Sequence, residues 1–155
     1  MEKLDSLNQV ADFHRTFKAP ILEKPQIPEP KRAKLRYDLL AEELSEFWEA
    51  VEQNDLVGVA DALCDLQYVL SGAVLEFGLG DKFVSLFNEV QRSNMSKACL
   101  TEAEAQATVQ YYSEKDGTEA FYELSGDKYL VFRKADHKVL KSINYSPADL
   151  EEILR

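Results

Sequence analysis

The sequence predicts a mainly α-helical bundle with a small C-terminal β-hairpin or meander appendage, on three observations. Apolar residues recur at helical spacing through four successive segments that end near Met95. Pro and Gly clusters punctuate those segments, at 20–30 and at 78–80. After about residue 116 the pattern changes to short aromatic and β-branched runs divided by turn residues. A chain of 155 residues suits one domain with a modest appendage, which gives a helical domain over 1–115 and a β appendage with a closing helix over 116–155, packed on it.

The first helix is expected over residues 2–18, where Leu4, Leu7, Val10, Phe13 and Phe17 share a stripe. His14, beside Phe13, reads as an exposed polar residue. Pro20, Pro25, Pro28 and Pro30 then require an extended loop. Period 3.6 returns over 34–53, with Tyr37, Leu40, Leu44, Phe47 and Val51 in line, and the next helix runs over 56–77 to stops at Gly78 and Gly80. Asp81 is expected to cap a helix reaching Met95, and a shorter helix starts near Glu102. "SGD" and "KADH" divide the strands, and Ser146 with Pro147 should open a final helix.

Charge and cysteine content narrow the partners. A net charge of -10 opposes nucleic acid as the main partner, because binding to phosphate backbones needs clustered Lys and Arg. A free nucleotide arriving with Mg²⁺ is compatible with it, since the metal reverses the local sign. The N-terminus lacks the pattern of a signal peptide, and no stretch reads as a membrane span, so the cytoplasm is the expected location. Cys64 and Cys99 form no disulfide framework or zinc motif, and Cys64 reads as a buried hydrophobe.

The sharpest signal is acidic. No Lys or Arg occurs between Arg36 and Lys82, while the same stretch carries Glu42, Glu43, Glu46, Glu49, Glu52, Asp55, Asp61 and Asp65. At 100° per residue, Glu43 and Glu46 fall on the shoulder of the apolar stripe with Leu39 and Ala50. Glu42 joins Glu46 at i and i+4, whereas Glu49 and Glu52 point to solvent. Between Leu56 and Leu75 the only charged residues are Asp61 and Asp65, one turn apart on a helix that is small or apolar almost all round. Buried carboxylates need compensation, either from Lys34, Arg36, Arg92 or Lys97, or from a hard divalent cation such as Mg²⁺. Residue pattern alone weighs that metal cradle evenly against a solvated acidic face.

"EELSEF", "DALCDLQYVLSG" and "EVQRSNMSK" together resemble the all-α nucleoside triphosphate pyrophosphohydrolases, which include MazG-like enzymes, dimeric dUTPases and phosphoribosyl-ATP pyrophosphatase. The resemblance covers about residues 34–97, and the tail "KVLKSINYSPADLEEIL" is similar to the ending of some bacterial members. It implies metal ligation by Glu43, Glu46, Asp61 and Asp65. The usual second pair is Glu-x-x-Asp, and here the position three before Asp65 is Ala62, so Asp61 takes that role across i and i+4. It further implies substrate contacts at Asn94 and Lys97, and a water-activating carboxylate at Glu42 or Glu46. The implied reaction is Mg²⁺-dependent cleavage between α- and β-phosphates, with Mn²⁺ as the alternative ion, in nucleotide-pool housecleaning. For the base, Phe13, Phe17 and Trp48 are stacking candidates, though each fits a core position better.

The sparsely polar helix over 56–77 implies a homodimer or dimer of dimers, since one chain cannot cover it. Two rivals remain at this stage: a non-catalytic adaptor whose acidic face binds a basic partner, and a regulator that binds nucleotide without cleaving it. Lys138 and Lys141 could reach a triphosphate, although alternating Lys on a solvent-facing strand is the simpler account.

Overall fold

The structure is a computed structural model and describes residues 4–155. The chain separates into two compact units, one ending at Phe83 and one covering Val84–Arg155.

The first unit is built from α1 (Ser6–Phe17), α2 (Pro30–Glu52) and α3 (Leu56–Glu76). The start of the expected first helix at residues 2 and 3 lies outside the described residues. α2 begins four residues earlier than periodicity suggested, because Pro30 occupies the first turn, where its missing N–H costs nothing. Three residues close the α2–α3 hairpin. Asn54 takes a left-handed conformation (φ 54°), and Asp55 caps α3 by accepting from Val57 N at 3.0 Å.

Both α1 and α2 are rotated relative to their sequence stripes. On α1 the buried side is Val10, Ala11 and His14, while Phe13 and Phe17 are exposed. On α2 the buried residues are Arg36 and Ala50, and Tyr37, Leu44 and Val51 face outward. The inward line through Arg36, Leu39, Glu43 and Ala50 is thus the shoulder of the apolar stripe.

Polar chemistry causes this rotation. Glu76, fully buried near the end of α3, accepts from Arg36 Nε at 2.9 Å and from Arg32 Nε at 3.0 Å. Each guanidinium adds a second bond from its Nη2. His14 Nδ1 lies 2.8 Å from the Pro20 carbonyl oxygen, so Nδ1 carries the proton and Nε2 accepts from Arg36 Nη2 at 3.1 Å. A Cβ at position 72 would stand 2.7 Å from Arg36 Nη1, so Gly72 makes room for this network. The expectation of an exposed His14 is therefore corrected: four charged or polar groups from α1, α2 and α3 satisfy one another inside the unit.

The proline segment contributes to the same end of α3. Leu22 N donates to Leu75 O and Gln26 N to Phe77 O, both at 3.1 Å, which satisfies carbonyls that the helix end leaves open. Gly78 (φ 68°) is required there, because a Cβ would meet the Lys24 carbonyl oxygen at 1.9 Å.

By length and composition α3 is apolar enough to cross a membrane, with 21 residues and a mean hydropathy of 1.3, contrary to the expectation that no stretch approaches a span. It packs on α1 and α2 and carries Asp61, Asp65 and the paired Glu76. Its first half is open, however: Leu56 and Val57 are 79% and 80% exposed, and Cys64, expected to be buried, is exposed as well.

The second unit holds all but the first residue of α4 (Phe83–Met95), then α5 (Glu102–Asp116), the hairpin strands β1 (Ala120–Ser125) and β2 (Lys128–Arg133), and α6 (Leu150–Leu154). The expected cap, Asp81, falls inside a 3-10 turn over Gly80–Lys82 that leads into α4. α5 is capped by Thr101, whose hydroxyl accepts from Glu104 N at 3.1 Å, while Glu104 reaches back to Leu100 N at 2.9 Å. Ser125 pairs with Lys128 across the expected turn. The segment after "KADH" makes only a bridge, Phe132 to Val139, so the appendage is a hairpin and not a meander. Cys99, Ala105, Val131 and Leu140 form the core between α5 and the hairpin. α6 begins later than expected, with Asp149 as its cap. Ser146 is drawn away to Ser96, whose Oγ accepts from Ser146 N at 2.9 Å.

Candidate active site

α2 and α3 share the most extensive contact between helices, and each brings acids to it. Glu43 lies on the inward line of α2, and its Oε2 is buried with no hydrogen-bond partner. Burial first, then the carboxylates of Asp65, Glu46, Glu42 and Asp61, push the Glu43 carboxyl above its ordinary range. Each of the four other sequence-predicted acids is thus close enough for its charge to act on Glu43. Glu42, Glu46, Asp61 and Asp65 are exposed, and Glu43 alone is half-buried.

None of the basic residues available for compensation serves this cluster. Lys34 pairs with Asp38, Arg36 with Glu76 and Arg92 with Glu89, while Lys97 donates to Asn94. Among the described residues, no ion pair involves Glu42, Glu43, Glu46, Asp61 or Asp65. Among the described residues, no three or more His, Cys, Asp or Glu side chains converge into a group that could hold a metal ion. The chemistry of the set still fits a hard divalent cation: every donor is a carboxylate oxygen, and one of them is buried and unbonded. Glu49, Glu52 and Asp55 are exposed, which agrees with their reading as surface acids.

Asn94 and Lys97 lie in the second unit, at the end of α4, with Lys97 Nζ donating to Asn94 Oδ1 at 2.8 Å. Phe13, Phe17 and Trp48, expected in the core, are exposed, Trp48 by 56%. Phe13 instead joins a surface aromatic cluster, 4.4 Å from Phe17 and edge-on to Tyr68 at 5.6 Å. Tyr68 was not singled out from sequence, yet it stands one helical turn beyond Asp65, a spacing that could have flagged it.

The family model for phosphoribosyl-ATP pyrophosphohydrolase matches residues 10–94, more than half of the chain. The stretch contains both acidic helices in full. "Uncharacterized protein L479" of Acanthamoeba polyphaga mimivirus is 25% identical, in an alignment covering 99% of this chain and 97% of the relative.

Proposed function

We propose a reaction for this chain, which belongs to the phosphoribosyl-ATP pyrophosphohydrolase family: hydrolysis of a nucleoside triphosphate between its α- and β-phosphates, giving a nucleoside monophosphate and pyrophosphate. Family membership points to a hydrolase acting on nucleotides, and such enzymes are generally dependent on divalent metal. The observation that supports the finer reading is the buried, unbonded Oε2 of Glu43 among four further carboxylates that have no cationic partner.

Glu43, Glu46, Asp61 and Asp65 would hold Mg²⁺, or Mn²⁺ in its place. When bound, the ion polarises the phosphoryl oxygens and neutralises charge that develops on them. Glu42 or Glu46, both exposed, orients a water and takes its proton. The water oxygen bonds to the α-phosphorus as the bond to the bridging oxygen breaks, and pyrophosphate leaves with that oxygen. Asn94 and Lys97 hold the substrate through its phosphates or sugar. A housecleaning role acts on the free nucleotide pool, which makes the cytoplasm the working location.

Incubation with Mg²⁺ and a panel of ribo-, deoxyribo- and modified nucleotides, phosphoribosyl-ATP among them, tests the reaction by pyrophosphate release. Asp65→Asn should keep the fold and lower turnover by at least about a hundredfold, since it removes a ligand and a charge together. Full turnover in Asp65→Asn would remove Asp65 from the metal set. Tight nucleotide binding without product, from the whole panel, would turn the reading to a regulator. Loss of only some affinity for a basic partner in Asp65→Asn would turn it to an adaptor.

A homodimer belongs to the same reading. The first unit leaves Leu44, Trp48, Leu56, Val57, Leu63 and Leu70 exposed, more apolar surface than a solitary helical hairpin keeps in water. A second copy covering α2 and α3 would bury it. Light scattering on the intact protein should give twice the chain mass or a multiple of that, and Trp48→Glu should shift it toward monomer. A monomeric wild type at high protein concentration would rule this assembly out.

A further inference from the structure

The C-terminal segment is fastened to the end of α4 by a series of hydrogen bonds. Ser142 N donates to Lys97 O at 3.1 Å, and Tyr145 OH and Ser93 Oγ lie 3.0 Å apart. Ser96 holds Ser146, and Arg92 Nη2 donates to Pro147 O at 2.9 Å. This attachment sets Tyr145 against Ser93 of α4, and Lys141 next to Ser142, which bonds the Lys97 carbonyl. Lys141 Nζ stands 4.2 Å from the centre of the Tyr145 ring, a cation–π contact. A hydrogen bond from Ser93 and then the charges of Lys141 and Lys97 hold the Tyr145 phenol below its ordinary range.

Neither ammonium has a carboxylate partner among the described residues. Lys18, Lys24, Lys31, Lys115, Lys128 and Lys138 likewise have no carboxylate partner among the described residues, so what sets Lys97 and Lys141 apart is the docking of the tail beside Lys97. Two cations drawn together by a docked segment, beside an amide and a phenol that can donate, suit an anion with several oxygens.

We propose that Lys141 and Tyr145 complete, with Lys97 and Asn94, a binding site for the oxygens of a polyphosphate, supplied by the nucleotide substrate or by free pyrophosphate. The assignment of a nucleotide source rests on the proposed reaction; the anion site does not. Lys141 contributes charge from the docked tail, and Tyr145 both props the ammonium and offers its hydroxyl.

Binding of inorganic tripolyphosphate to the intact protein in EDTA, followed by calorimetry, tests the site without metal at the carboxylates. The wild type should bind, more weakly as salt rises. Lys141→Met should weaken binding roughly tenfold, Tyr145→Phe by less, and the exposed Lys31→Met not at all. A wild type that does not bind, or a Lys141→Met variant within about twofold of it, overturns the site. Turnover separates the sources: a higher KM with unchanged kcat in Lys141→Met identifies the substrate's phosphates. Unchanged KM with weaker pyrophosphate inhibition identifies the free product. If no nucleotide is cleaved but Lys141→Met loses tripolyphosphate, the reaction falls and the anion site stands.

Discussion

Glu43→Gln should melt at a higher temperature than the wild type when both are measured in EDTA, and should release no pyrophosphate from any nucleotide. In the metal-free protein the Glu43 carboxylate is held half-buried against Asp65, Glu46, Glu42 and Asp61, with one oxygen unbonded. Gln removes the charge, keeps the shape, and supplies an amide that can donate to those neighbours. Relief of this kind contributes roughly 0.5–2 kcal/mol, a rise of a few degrees in a chain of this length. Adding Mg²⁺ should stabilise the wild type and leave Glu43→Gln almost unmoved, because a cation stabilises only the form that binds it. A lower melting temperature for Glu43→Gln in EDTA would show that the carboxylate is already compensated. The metal reading would then lose its main support.

Glu76→Ala is expected to have the opposite and larger effect. Its side chain is wholly buried and receives Arg32 and Arg36, with His14 bonded behind Arg36. Removing one member of a buried charged network leaves the others uncompensated, at a cost of about 3–5 kcal/mol. The variant should melt roughly 6–20 °C lower by circular dichroism. Burial by itself would push the Glu76 carboxyl up, but bonds and charges from Arg32 and Arg36 overcome it and hold the group below its ordinary range. Its contribution to stability is therefore complete above the unfolded-state value and is lost as pH falls through the lower folded-state value. Wild type and Glu76→Ala should consequently converge in stability under acid. A variant that melts like the wild type at neutral pH would mean that this network holds nothing together.

These two glutamates also mark the limit of what was legible before the fold. Glu43 was readable as one of a pair because helical geometry alone fixes its angle relative to Leu44 and Val51. Glu76 was not, since nothing local distinguishes it from the solvated acids; its partners are 40 and 44 positions away. The signal present was Arg32 and Arg36 at i and i+4, which implies a shared face and not the identity of what meets it. The same long-range pairing turned α1, burying His14 and exposing Phe13 and Phe17. Hydrophobic periodicity assumes that the apolar stripe faces the interior, and a buried ion network displaces that stripe. Ser146 misled for a related reason: its local pattern suits a helix cap, and its bond to Ser96 satisfies the group elsewhere.

By itself, the sequence determined the six helices, the hairpin, the five acids without a basic residue near them and the family to which those motifs belong. Each of these rests on interactions within a few residues, or on spacing along one helix. Tertiary structure alone decided that Glu43 is the half-buried acid, that Arg36 is committed to Glu76, and that Ser142 and Tyr145 fasten the tail beside the end of α4. Those outcomes depend on which side chains meet across distant segments, where the burial of a charge must be matched by a partner that local spacing does not reveal.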